Sequence, residues 1–122
     1  MMLQTLIERD GPVCVWCGRA PWRTDLTADH IVPRSRGGRT SAENLTVACR
    51  ECNKRRGTRP VVAFVRTLLD EGVTPRSDSL LTGLGRLAAS DRRDLAAYGT
   101  RQLVLLERLL EERPLALVSR DA

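Results

Sequence analysis

Two cysteine pairs constrain this 122-residue chain more than anything else in it. Cys14 and Cys17 form one C-x2-C, Cys49 and Cys52 form a second, and 31 residues lie between them. Two such pairs can close disulfides in three connectivities, or hold one metal ion with four thiolates. The short spacing within each pair and the lack of an N-terminal apolar run resembling a secretion signal favour the metal. So does Gly18, which permits the tight reversal that aims backbone amides at an ion. Four soft thiolates satisfy a tetrahedral zinc and leave no open position, so the expected Zn²⁺ is structural. Size is the physical reason for it. About sixty residues of strand, loop and strand bury too little apolar surface to be secure without a staple.

Around this framework the expected elements are short. Leu3, Leu6 and Ile7 have helical spacing, and Asp10-Gly11-Pro12 stops that helix. Trp16 and Trp22 both lie near the first cysteine pair. Stacking on DNA is open to either, but packing around a small zinc site is the favoured reading. Residues 25–32 read as a strand ended by Pro33, residues 34–39 as a loop turned by Gly37-Gly38, and residues 45–48 as a second strand. Residues 50–56 form a helix that Gly57 ends.

Beyond Gly57 the composition becomes leucine-rich and helical. One helix follows Pro60, and a weaker one spans residues 76–89, where Gly83 and Gly85 count against it. A last helix is expected from Asp91 to about Glu112, with Ser90 as its N-cap and Gly99 as a break or bend. The chain thus divides into a zinc-stapled core at residues 1–59 and a helical extension at 60–122. Packing on the core is favoured for the extension over a homodimer surface. The apolar runs are too short to span a membrane, and with no signal peptide in view the expected location is cytoplasmic.

Charge is distributed unevenly. Residues 1–60 carry eleven Lys or Arg against six acids, whereas residues 61–122 carry nine of each. The excess sits on the half that holds the cysteines and His30, the single histidine. A basic patch beside a candidate site suits a polyanion such as DNA, and a solvated Arg-rich surface is the plain alternative. Arg34, Arg36, Arg39, Lys54, Arg55, Arg56 and Arg59 are the expected phosphate contacts as a group.

A second kind of site lies between the cysteine pairs. Asp29 and Asn53 offer hard oxygens, which suit Mg²⁺ or Mn²⁺. His30 is then free to serve as a base, its ordinary pKa of about 6.5 being close enough to working pH to take a proton from water. Hydroxide formed this way would attack a phosphodiester, with the metal stabilising the added charge.

Asp29-His30 in DHIVP, Asn44 in ENL and Asn53 in CRECNKRRG, together with the four cysteines, resemble the HNH endonuclease family in its zinc-bearing branch. The resemblance covers Cys14 to about Arg59. It implies an α+β fold: a small ββα-metal (His-Me finger) core stapled by the four-cysteine zinc, here with the C-terminal helical extension. By resemblance, His30 is the general base, Asp29 and Asn53 bind the catalytic divalent ion, and Asn44 braces the loop that orients His30. The third signature position is Asn53 rather than His, making an H-N-N variant that disfavours a soft transition metal. The implied activity is nicking or double-strand cleavage of DNA, and the implied setting is that of phages, mobile elements or restriction enzymes. The rival reading from a different class is a non-catalytic, zinc-dependent nucleic-acid-binding module.

Overall fold

The structure is a computed structural model and describes residues 2–113. The last nine positions of the expected extension lie outside the described residues.

Helix α1, Met2–Asp10, buries Leu6 and ends at Gly11, whose φ of 90° reverses the chain while its N–H donates to Ile7 O at 2.7 Å. The first cysteine pair follows as a tight turn, with Gly18 at φ 74° donating to Cys14 O. Strand β1, Leu26–His30, pairs antiparallel with β2, Leu45–Cys49, in a register that sets Leu26 opposite Cys49 and His30 opposite Leu45. β1 is shorter than expected, because residues 23–25 close a single 3-10 turn before it and Ile31 already hydrogen-bonds outside the ladder, to Asn44 O. Helix α2, Arg50–Arg56, begins where Cys49 Sγ accepts from the Cys52 amide and ends at Gly57, φ 57°. The expected boundaries of α2 hold. β1, β2 and α2 make a ββα unit, and α1 covers one sheet face through Leu6, Leu26, Leu45 and Val47.

Three helices follow among the described residues: α3, Val61–Asp70; α4, Ser77–Ala88; and α5, Arg93–Glu112. Their leucines join the apolar residues of the cysteine turn in one continuous cluster that runs from Val15 and Trp16 through Ile31 and Phe64 to Leu84 and Leu106. The helical residues therefore pack on the ββα unit. Among their described large apolar side chains, only Val104 is left exposed.

Three expectations need correcting. Gly99 does not break α5. The helix runs through it, and glycine suits the position because α4 lies so close that an added Cβ would sit 2.6 Å from Ala88 N and 2.7 Å from Leu87 Cβ. Ser90 is not the N-cap. Its Oγ accepts from Arg92 N at 3.2 Å and donates to Glu43 Oε1, and the helix starts at Arg93. The two tryptophans also part company. Trp16 is fully buried, edge-on to Phe64 at 5.2 Å, whereas Trp22 is 83% exposed and takes no part in the core. No helix among the described residues is long and apolar enough to cross a membrane.

Candidate metal centre and active-site loop

The four cysteines meet in a buried cluster whose sulfurs all lie within 4.8 Å of one another. A zinc–sulfur bond of about 2.3 Å requires tetrahedral edges of about 3.8 Å, and the Cys17–Cys49 sulfur separation is 4.0 Å. The Cys17 amide donates to Cys14 Sγ and the Cys52 amide to Cys49 Sγ, the same arrangement in both turns. Such donors stabilise anionic sulfur. The Cys14 thiol is lowered to about 5, chiefly by the hydrogen bond from Cys52. The Cys52 thiol is pushed up by that same bond and by burial, and Cys49 is raised by burial first. Cys14 favours the thiolate while Cys49 and Cys52 resist it, since several anions cannot share a buried site without a cation. The donor set and its spacing thus suit a structural Zn²⁺.

On the other side of β1, His30 ends the strand half-exposed, with Nε2 2.9 Å from Thr40 Oγ1. Its pKa is lowered, by burial first and then by the positive charges of Arg34 and Arg56, which favours the neutral imidazole. The chain leaving His30 is tied down twice. Asn44, fully buried, accepts from Val32 N at 2.8 Å and donates to Val32 O at 3.1 Å and Arg39 O at 2.9 Å, closing the base of the arginine loop. Arg56 donates to His30 O and to Ile31 O.

Arg56 corrects an expectation. It is not one of the phosphate contacts, because it is 1% exposed and lies over the Trp16 ring at 5.2 Å. A guanidinium so enclosed cannot meet DNA. Position 56 follows Cys52 by four, which places it on the helix face that already holds a buried ligand; that spacing is the signal that marks it. Arg34, Arg36, Arg39, Lys54 and Arg59 are exposed, and Arg55 is exposed but paired with Glu71 at 2.7 Å.

Asp29 and His30 are not side by side in space. Neighbours on a strand project to opposite faces, and Asp29 is buried facing α2, accepting from the Trp16 indole N–H at 2.8 Å with Arg56 Nη1 3.4 Å away. Burial is the largest influence on this carboxyl and raises its pKa, while Arg56 and Trp16 pull it down. Asn53 lies mid-helix and half-buried on α2, next to Cys52. The described residues hold no second cluster of His, Cys, Asp and Glu like the one the cysteines form.

Several supports had no local sequence signal. Thr40 reaches His30 only once the loop is folded. The segment around Asn44 is held by Arg9 of α1 at Ala42 O and Leu45 O, and by Arg86 of α4 at Glu43 O.

A four-cysteine knuckle joined to an antiparallel pair and a helix, with His30 at the strand end, is the frame on which comparison with known proteins rests. Residues 14–69 match the family model of HNH endonuclease, and this stretch is an HNH-endonuclease-family domain. The chain is also similar to the CRISPR-associated endonuclease Cas9 of Corynebacterium diphtheriae, 33% identical over 69 residues. That alignment takes in 56% of this chain and 6% of the Cas9 protein, so the chain spans a small fraction of the curated relative it matches.

Proposed function

We propose that the chain is a metal-dependent HNH endonuclease that hydrolyses DNA phosphodiester bonds, with His30 as general base. The observation that carries this reading is the placement of His30: half-exposed at the end of β1, beside an exposed arginine loop, in surroundings that favour its neutral form. In the tautomer whose Nε2–H donates to Thr40 Oγ1, the Nδ1 lone pair is left to take a proton from the attacking water. Asn44 acts through the backbone. By holding Val32 at both N–H and C=O, it fixes the direction in which the chain leaves His30. Asn53 on α2 would hold Mg²⁺ or Mn²⁺ through its hard amide oxygen, joined by Asp29 if its carboxylate, here turned to Trp16 and Arg56, were released to the ion, which supplies charge stabilisation at the phosphate when bound. Arg34, Arg36 and Arg39 would neutralise phosphates flanking the cut, with Lys54 and Arg59 extending that contact. A cytoplasmic setting accords with this reading, because the four thiols must stay reduced to take zinc.

The test is incubation of supercoiled plasmid with purified protein in Mg²⁺ or Mn²⁺ against EDTA. Nicked or linear product with metal alone supports the proposal. DNA that is bound in a salt-sensitive way but never cut would shift the reading to the non-catalytic binding module.

A further inference from the structure

We infer that Arg56 is a positioning residue for His30, through which the helical extension steadies the active-site strand. Its guanidinium has five N–H groups, and five acceptors surround them. Nε donates to Arg59 O at 2.9 Å; Nη1 faces His30 O and Asp29 Oδ1; Nη2 donates to Ile31 O at 2.6 Å and faces Tyr98 Oη at 3.4 Å. Two of these acceptors are the consecutive carbonyls of His30 and Ile31, where the chain leaves β1.

Asn44 holds the following residue from the opposite side: its side chain takes Val32 N and O, and its backbone carbonyl takes Ile31 N. From His30 O to Val32 O, consecutive backbone polar groups are therefore fixed by two residues. The family resemblance supplies a role for Asn44, and Arg56 is its counterpart.

Enclosed charge of this kind is held by geometry. The guanidinium lies over the Trp16 ring, and its donors match a planar fork that an ammonium cannot reproduce. Tyr98 brings in α5: its hydroxyl lies against Arg56 and also accepts from Val61 N at 3.2 Å, at the start of α3. Gly83 of α4 rests near Ile31 Cδ1, so the extension meets the residue after His30 a second time.

The role supposes that His30 does the chemistry proposed above, but its test does not need cleavage. The chain has one histidine, so in untagged, zinc-loaded protein the imidazole ¹⁵N–¹H signals belong to His30 without ambiguity. Arg56→Lys keeps the charge and loses the fork. It should shift and broaden or double those signals while zinc content and affinity for a DNA duplex stay within about twofold. Where the wild type cuts, kcat should fall about 10- to 100-fold with KM little changed, the mark of misplacement rather than lost binding. Lys54→Gln, on the surface, should do the reverse, weakening DNA binding and leaving the His30 signals alone.

Unchanged His30 signals in Arg56→Lys, or a loss confined to DNA affinity and its salt dependence, would overturn the inference. If Arg56→Lys does not fold, Tyr98→Phe removes a single hydroxyl from the same network. A smaller shift of the same signals is then expected, and no shift overturns the proposal. A wild type that never cuts would sink the nuclease reading, while the His30 spectrum would still decide the role of Arg56.

Discussion

The cysteine knuckle and the His30 loop occupy one short stretch of chain and are stabilised by opposite means. The knuckle is local and dry. Its four sulfurs are buried, each turn aims its own amide at its own sulfur, and one cation can satisfy the whole set. The loop is open, and its order comes from afar: Asn44 and Arg56 hold the strand exit, Arg9 and Arg86 hold the segment around Asn44, and Tyr98 stands behind Arg56. A site that needs solvent and substrate cannot bury itself, so its rigidity must be supplied from outside.

That contrast is sharpest when the two regions are broken separately. Cys49→Ser should have the largest effect. A structural zinc contributes on the order of 10 kcal/mol to folding in small sites, comparable to the ~5–15 kcal/mol that whole domains possess. Circular dichroism and metal analysis should show zinc and fold lost together; a folded, zinc-free variant would contradict the staple.

Gly38→Ala comes next and acts on the loop alone. An added Cβ would lie 1.7 Å from Val32 O, the carbonyl that Asn44 holds. Such a clash should cost about 3 kcal/mol in thermal or denaturant melts, and cleavage should fall further than stability because the His30 exit is displaced. Zinc content should not change.

Gly99→Ala tests the extension at the residue after Tyr98. Its Cβ would press on α4 backbone at 2.6 Å, so a cost of about 2 kcal/mol is expected in the same melts. Zinc content, measured well below the melting temperature, should be preserved. Cleavage should fall only as far as the shift of α5 moves its neighbour Tyr98 from Arg56, and a loss as large as that of Gly38→Ala would contradict this ranking.

The smallest effect concerns pH. Because the His30 pKa is lowered, its base form persists to lower pH, and the rising limb of kcat/KM should lie below the ordinary value of about 6.5. Arg34→Gln removes one of the charges that repel the proton, so proton affinity recovers and the limb should move up slightly. A limb unmoved by Arg34→Gln would argue that burial alone sets the value.

The same contrast explains what can be read from residues alone. The knuckle is legible because its ligands are spaced locally, and α2 because Cys49 and Gly57 mark its ends. The ββα order follows from the placement of strand residues between the pairs. Arg56 is easily misread because RECNKRR looks like one uniform basic face, and only its spacing from Cys52 tells it from Lys54 and Arg55. Trp22 follows Pro21 outside the knuckle, while Trp16 sits between two ligands, and the weaker tie leaves Trp22 in solvent. Gly99 resembles a break because a helix glycine is ambiguous until its neighbour is known, and here α4 is that neighbour. Thr40, Arg9, Arg86 and Tyr98 act at a distance along the chain, so no local pattern announces them.

The base role of His30 is tested most directly by the cleavage rate of His30→Ala against wild type, on preparations matched for zinc content and folded fraction. Cleavage should drop at least about 100-fold, as expected for loss of a general base, while zinc content and DNA affinity are retained. Cleavage retained at the wild-type rate would contradict that role.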